Sequence, residues 1–194
     1  MELFSEYDRY APILHVADRG GVSLAKELTD LLLESKGALV FLSDERFAAS
    51  FSGEERKRLG RLVPWTRWIE EGPLLPLLRK KKDDYVIKAA NGLQGQLVWL
   101  GMETTRNEWE KVIDRALQEG CWIVQKRIVM PQITFPYFLD GELVMEKART
   151  MTLPFFFDNA LGGFAVRTSI PGKSLKLTFP EHGNTGVTAL FEVG

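Results

Sequence analysis

The sequence has few of the residues that soft-metal sites and covalent catalysis require. Its 194 residues include one cysteine, Cys121, and two histidines, His15 and His182, which lie far apart. A structural zinc site uses four thiolate or imidazole ligands at short spacings, and an internal disulfide needs two cysteines, so neither is expected. Cys121 opens an apolar run, which favours a buried, inert thiol over a nucleophile.

The sequence also has no large excess of charge of one sign and no long hydrophobic run. The 25 Lys+Arg and 26 Asp+Glu give a net charge of −1, so no overall field attracts nucleic acid or an anionic membrane. No apolar run approaches the roughly 20 residues that span a bilayer. The start, Met1-Glu2-Leu3, lacks the basic and apolar regions of a signal peptide. These features favour a soluble protein of the reducing cytoplasm.

Three common catalytic or nucleotide-binding motifs are absent. The sequence has no Gly-x-Ser-x-Gly elbow and no Gly-x-Gly-x-x-Gly fingerprint. Pro171-Gly172-Lys173-Ser174 ends like a P-loop, but Arg167 occupies the position of the first glycine of that motif. A serine hydrolase, a Rossmann site and a P-loop therefore have no support.

Apolar residues at helical spacing, capping boxes and a basic helix end predict four helices. They cover 21–34, 53–62, 73–82 and 105–119. In the last of these, Thr105 and Glu108 form a capping box. Its apolar stripe, which predicts the buried face, is Trp109, Val112, Ile113, Ala116 and Leu117. The stretch 35–51 fits either a buried strand or a further helix.

Runs of β-branched and aromatic residues predict strands, mostly in the second half. They cover 85–88, 96–100, 121–130, 143–146, 155–157, 163–169, 175–179 and 187–193. Lys88 ends the first of these strands, and the glycine-bearing loop 91–95 follows. An ammonium group at a strand end, under a flexible loop, can meet a phosphate. The alternative is an exposed lysine in an ordinary hairpin.

Several segments resemble, in order and spacing, the circularly permuted ATP-grasp family, which is related to glutathionylspermidine-synthase-like proteins. The resemblance rests on Val63-Pro64-Trp65-Thr66-Arg67, on 85–101 and on Trp122-Ile123-Val124-Gln125-Lys126-Arg127. Ser35-Lys36 and Asn107-Glu108-Trp109-Glu110 match further positions of the family pattern. The resemblance extends from about residue 35 to the C-terminus.

The resemblance implies an α+β, ATP-grasp-like fold: two small sheet-bearing lobes, flanked by helices, with a nucleotide cleft between them. It divides the chain into a helical N-terminal segment (1–70), a first lobe (71–130) and a sheet-rich second lobe (131–194), and it makes 35–51 helical. Family members have more sequence ahead of that helix. We therefore expect a missing N-terminal region or a partner subunit.

ATP is the cofactor that the resemblance implies. The cofactor-binding residues would be Lys36, Lys88, Gly92, Gly95, Gln125, Lys126 and Arg127. The two lysines would contact the phosphates, the glycine loop would cover them, and the backbone of 125–127 would run along the adenine. Arg167, in Gly163-Phe164-Ala165-Val166-Arg167, would contact the γ-phosphate or the transferring phosphoryl group as the catalytic residue. The alternative for Arg167 is an ordinary strand arginine.

The implied activity is that of an ATP-dependent carboxylate-amine ligase. ATP phosphorylates a small carboxylate, and an amine displaces phosphate from the acyl phosphate. The family's magnesium ligands have no counterpart at the aligned segments 151–155 and 175–178, so Glu146, Asp158 and Glu181 are the candidate oxygen ligands. One alternative function is a non-catalytic nucleotide- or partner-binding module, and another is an α+β interaction domain without a nucleotide.

Overall fold

The computed structural model of the protein describes residues 7–22, 34–92, 95–139, 141–157, 160–169 and 185–189. In this part of the chain the fold is α+β, with two small antiparallel sheets and several helices. The α-helices are α1 (Tyr7–Asp18), α2 (Gly37–Ser43), α3 (Gly53–Leu62), α4 (Leu74–Lys80) and α5 (Arg106–Glu119). Short 3₁₀ turns cover Glu45–Ser50, Lys82–Asp84 and Gly101–Glu103. No helix in the described ranges is long and apolar enough to cross a membrane.

Two helices begin at capping boxes, as the sequence predicts. At α3 the Ser52 hydroxyl accepts a hydrogen bond from the Glu55 N–H at 3.2 Å, and the Glu55 carboxylate accepts one from the Ser52 N–H at 2.8 Å. Thr105 and Glu108 make the same exchange at α5. These bonds satisfy N–H groups that the first turn of a helix leaves unpaired.

The first sheet contains β1 (Thr66–Trp68), β2 (Tyr85–Ala89), β3 (Val98–Leu100) and β4 (Trp122–Lys126). Its spatial order is β1-β4-β2-β3, and all neighbouring strands are antiparallel. Directly paired residues of such a sheet share one face. The register therefore places Thr66, Val86 and Gln125 on the same face as the pair of Lys88 with Ile123.

Different helices cover the two faces of this sheet. Helices α4 and α5 pack on the face that carries Ile87 and Val124. The apolar stripe of α5 faces this core as predicted, with Trp109, Val112, Ile113 and Ala116 buried and Leu117 partly buried. Helix α2 packs on the other face, where Val40 meets Ile123 and Ala90. Lys88 lies on the α2 face.

The second sheet contains β5 (Gln132–Leu139), β6 (Glu142–Phe157), β7 (Ala160–Ser169) and β8 (Thr185–Ala189), in that spatial order. Strand β6 serves two partners, because residues 142–149 pair with β5 and residues 150–157 pair with β7. The Tyr137 hydroxyl donates to the Ser169 carbonyl at 2.6 Å and so ties β5 to the end of β7.

The structure differs from the predicted strands in several places. Strand β6 is continuous where the sequence predicts separate strands at 143–146 and 155–157, because its pairing passes from β5 to β7 without a turn. No strand was predicted at β1 or β5. The strand predicted over 121–130 is shorter, since β4 ends at Lys126.

Residues 35–51 form α2 and a 3₁₀ turn, which agrees with the helical interpretation of this stretch. Most of the helix predicted over 21–34, and all of the strand over 175–179, lie outside the described residues. Helix α1 had no predicted counterpart. Strand β1 belongs to the predicted N-terminal segment 1–70, yet it is hydrogen-bonded to β4, so the first sheet uses residues from both sides of that boundary.

Candidate functional site

Lys88 lies one residue before the end of β2, between Val98 of β3 and Ile123 of β4. Its side chain is partly buried on the α2 face of the sheet. The Nζ atom donates to Oε1 of Gln125 at 2.7 Å. Lys88 is therefore at a strand end, as predicted, but its amine is held by a side chain and is not the free amine of an exposed hairpin.

Lys36 reaches the same strand end from the beginning of α2. Its backbone N–H donates to the Ala90 carbonyl at 2.9 Å, and its Nζ donates to the Gly92 carbonyl oxygen. The Gly92 N–H donates to the Ala89 carbonyl at 3.2 Å. These bonds bring together three of the predicted phosphate-site residues, namely Lys36, Lys88 and Gly92.

The two lysines form a local positive site. In the described ranges, neither Lys36 nor Lys88 forms an ion pair with a carboxylate. Burial lowers the pKa of Lys88 to about 8, and the positive charge of Lys36 acts in the same direction. Burial also lowers the pKa of Lys36. Both ammonium groups would thus gain from an anion placed beside them.

Gln125 connects Lys88 to β1 through its side chain. The Gln125 Nε2 atom donates to the Thr66 hydroxyl at 3.0 Å, and that hydroxyl donates to the Pro64 carbonyl at 2.8 Å. Both Gln125 and Thr66 are buried. The sequence analysis did not predict this side-chain role, although a glutamine directly after the apolar run from Trp122 to Val124, within the same strand, was a signal for it.

The backbone N–H groups of Lys126 and Arg127 already have acceptors within the protein. Strand β4 is internal to the sheet. The Lys126 N–H donates to the Trp65 carbonyl at 2.9 Å, and the Arg127 N–H donates to the Asp84 carbonyl at 2.8 Å. Side chains alternate along a strand, so exposed Lys126 also points away from the face of Gln125. The contact of this backbone with adenine stays a prediction.

Gly92 and Gly95 lie in the loop between β2 and β3. A Cβ atom at Gly92 would lie 3.1 Å from the Gln96 carbonyl oxygen, which is closer than ordinary packing. Gly95 has φ of +75°, a conformation that L side chains rarely adopt. These two local geometries account for both glycines. That the loop carrying Gly92 and Gly95 closes over a phosphate remains a prediction.

The segment 63–67 joins α2 to the sheet. The Ser43 hydroxyl accepts from the Thr66 N–H at 3.0 Å and donates to the Thr66 carbonyl at 3.1 Å. Arg67 Nη1 donates to the Ser43 carbonyl at 2.9 Å. The last carbonyl groups of a helix lack partners within the helix, so these bonds fix the C-terminal end of α2. The opposite end of α2 carries Lys36.

Two open cavities, of about 300 and 350 Å³, share Asp44 and Trp65 in their walls. Arg46 Nε donates to Asp44 at 3.0 Å, Arg67 Nε lies 3.5 Å from the same carboxylate, and the Arg67 guanidinium lies 4.7 Å from the Trp65 ring. Burial acts to raise the pKa of Asp44, but the hydrogen bonds from Arg46 and the charge of Arg67 lower it overall. Arg46 and Arg67 therefore both have carboxylate partners, whereas neither Lys36 nor Lys88 has one among the described residues.

The donor set for magnesium does not come together in the described residues. Among them no group of three or more His, Cys, Asp and Glu side chains could hold a metal ion. Glu146 is exposed on β6, opposite Phe135. Asp158 and Glu181 lie outside the described residues.

Cys121 is exposed, which corrects the prediction of a buried thiol. The reason is that β4 begins one residue later, so Cys121 belongs to the turn after Gly120. Its φ of 55° is unusual for a residue other than glycine. Its carbonyl accepts the Ala90 N–H at 2.9 Å and so contributes backbone support to the end of β2.

The structure thus gathers Lys36, Lys88, Gly92 and the Gln125 side chain at one end of the first sheet. Arg167 lies on β7 of the second sheet, paired with Met151 and Val187, and its role at a phosphoryl group remains a prediction. A scan against protein-family models finds no match, and a search of curated proteins finds no similar sequence.

Proposed function

We propose that this protein binds ATP, with the polyphosphate held by Lys36 and Lys88 beside the loop that follows β2. The observation that carries the proposal is that two partly buried ammonium groups lie at the same strand end. Neither has a carboxylate partner in the described ranges. Two like charges at one strand end repel each other. A bound polyphosphate would remove that repulsion and accept a hydrogen bond from each lysine.

Neutral acceptors hold both lysines, so both charges stay available to a phosphate chain. Hydrogen bonds between an ammonium and a charged oxygen contribute about 1.5–3 kcal/mol each. The Gly92 carbonyl and the Gln125 carboxamide orient the two amines without neutralising them. An ATP-grasp-like arrangement, in which such a site lies in a cleft between two lobes, is the fold we propose on the basis of the sequence resemblance.

The reaction class that follows from the same resemblance is carboxylate-amine ligation. ATP would activate a small carboxylate as an acyl phosphate, and an amine would complete the reaction. Binding without ligation is the alternative, and it is favoured by the absence of aligned magnesium ligands in the sequence. A phosphate-release assay with candidate acids and amines separates the two.

Lys88→Met is expected to weaken ATP binding at least about tenfold, because loss of one phosphate contact of about 1.4 kcal/mol or more corresponds to that factor. Isothermal titration calorimetry of the wild-type and variant chains measures the effect. Circular dichroism melting checks that the variant remains folded.

The matched control is Lys80→Met, which removes an exposed ammonium at the end of α4. Its ATP affinity should stay within about twofold of the wild-type value, since an exposed charge contributes little. Equal losses for Lys80→Met and Lys88→Met would contradict a phosphate site at Lys88. Phosphate release that requires both Lys88 and Arg167 would establish catalysis, and binding without release would establish the non-catalytic function.

Affinity for ATP is expected to fall as the pH rises through about 8, because Lys88 loses its proton there. The stability of the ligand-free protein should change in the opposite direction. The folded-state pKa of about 8 lies below the ordinary value of 10.5, so between these values the unfolded chain binds more protons at this group. The free energy of unfolding should therefore rise with pH in this window. The charged group that acts on Lys88 is Lys36.

Calorimetry and urea unfolding from pH 7 to 10.5 measure these two trends. In Lys88→Met, the ATP affinity and the free energy of unfolding should both depend less on pH than in the wild type. Retention of the binding trend in the variant would assign it to another group.

A further inference from the structure

The hydrogen bonds around Gln125 have only one consistent direction. The Pro64 carbonyl can only accept, so the Thr66 hydroxyl must donate to it at 2.8 Å. That hydroxyl has used its proton, so it accepts from the Gln125 amide nitrogen at 3.0 Å. The carboxamide oxygen must then face Lys88, at 2.7 Å from its Nζ. These three bonds form a relay from the Pro64 carbonyl through Thr66 and Gln125 to Lys88. The Pro64 carbonyl therefore determines that Lys88 faces the oxygen, and not the nitrogen, of the Gln125 carboxamide.

The position of Gln125 in the sheet holds this relay in place. Gln125 is paired with Thr66 on one side and with Val86 on the other, and both Gln125 and Thr66 are buried. The Thr66 backbone is in turn bonded through its N–H and carbonyl to the Ser43 hydroxyl. The carboxamide therefore has few alternative orientations.

The neutrality of Gln125 matters as much as its position. A glutamate of the same shape would pair with the ammonium of Lys88 and cancel its charge. It would also have no N–H to donate to Thr66, so the relay would break. A carboxamide accepts one hydrogen bond from the lysine and leaves the other two amine donors and the full charge for a ligand.

We infer that Gln125 is a positioning residue for Lys88: its carboxamide, oriented through Thr66 and Pro64, holds the amine towards a bound phosphate without neutralising it. This inference rests on the phosphate site proposed above. It assigns the Gln125 side chain a function that the sequence alone does not predict.

Gln125→Glu tests the inference with inorganic tripolyphosphate, which has no base. The affinity should fall about tenfold or more, because one ammonium no longer presents a net charge to the ligand. The pKa of Lys88 should rise, since a neighbouring carboxylate favours the charged amine. Calorimetry measures the affinity. NMR of ¹³Cε-labelled lysine, with the signal assigned by Lys88→Met, measures the pKa.

Gln132→Glu is the matched control, because it adds the same charge at an exposed position of β5. Both readouts should stay at their wild-type values in this variant. Gln125→Glu with wild-type affinity, or with an unchanged pKa of Lys88, would overturn the inference.

A second pair of variants addresses folding, since a glutamate at buried Gln125 brings a charge into the sheet. Thr66→Val removes the hydroxyl while keeping the shape, and Thr66→Ser keeps the hydroxyl. Tripolyphosphate affinity should fall several-fold in Thr66→Val and should stay within about twofold of wild type in Thr66→Ser. Equal losses in both, in chains shown to be folded by circular dichroism, would reduce Thr66 to a packing role and overturn the relay.

The failures of the two proposals are distinguishable. If tripolyphosphate does not bind the wild-type chain, the phosphate site fails, and a raised Lys88 pKa in Gln125→Glu would still establish the link between Gln125 and the charge of Lys88. If tripolyphosphate binds and Lys88→Met weakens it while Gln125→Glu does not, the phosphate site stands and the role of Gln125 fails.

Discussion

Replacing Trp109 by alanine is expected to lower the free energy of unfolding by about 3–5 kcal/mol, the range for removal of a fully buried large aromatic side chain. Trp109 has no exposed surface and packs in the core between α4, α5 and the first sheet. Its Nε1 also donates to the Leu78 carbonyl at 3.1 Å, so truncation leaves a cavity and an unpaired carbonyl. Urea unfolding followed by circular dichroism measures the loss.

Trp109→Phe serves as the intermediate variant, because it keeps most of the packing but loses the indole N–H. Its loss should lie clearly below that of Trp109→Ala. A loss below about 1 kcal/mol for the alanine variant would mean that Trp109 is not a core residue. Since the Lys88 amine lies on the opposite face of the sheet, folded Trp109→Phe should keep its affinity for ATP.

Gly101→Ala is expected to destabilise the protein by about 3 kcal/mol, at the upper end of the range for overpacking. A Cβ atom at Gly101 would lie 1.8 Å from the Lys82 carbonyl oxygen and 3.1 Å from the Tyr85 carbonyl oxygen. Both neighbours are backbone atoms, which cannot rotate away as a flexible side chain could. The two 3₁₀ turns, Lys82–Asp84 and Gly101–Glu103, would have to separate. Thermal unfolding measures the change.

Gly60→Ala is the matched control for this substitution. Gly60 lies within α3, and a Cβ atom there would have no neighbour within 4 Å. Alanine forms helices better than glycine by about 1 kcal/mol, so this variant should be slightly more stable than the wild type. Destabilisation of similar size in both variants would show that the close approach of the two turns does not determine the requirement for Gly101.

The sequence predicted best those features that depend on neighbouring residues. The capping boxes at Ser52 and Thr105 and the buried stripe of α5 follow from spacings of three or four residues, and the structure confirms them. The strand-end position of Lys88 also follows from a local change of pattern. Its contact with Gln125 could not be predicted, because it depends on the register between β2 and β4, which are 37 residues apart at this bond.

The second sheet was harder to predict because its apolar residues do not alternate cleanly with polar ones. Phe138 and Leu143 face each other across β5 and β6, yet they are 76% and 69% exposed. Without a single buried face, a period of two does not mark the strand. For this reason β5 was missed and the ends of β6 were predicted as separate short strands. Strand β6 is continuous because its pairing changes from β5 to β7, and sequence patterns do not predict such a change.

The order of strands in the first sheet has a consequence for how the protein is made. Strand β4 lies between β1 and β2, but it is the last of the four strands to leave the ribosome. The bond from Gln125 to Thr66 spans 59 residues, and such distant pairings form slowly because a long loop must close first. A nascent chain that has not passed residue 126 has Lys36 and Lys88 but lacks the strand that aligns them. The proposed phosphate site would therefore appear only when the first sheet is complete, so its occupancy would mark the completion of that sheet and not an earlier step.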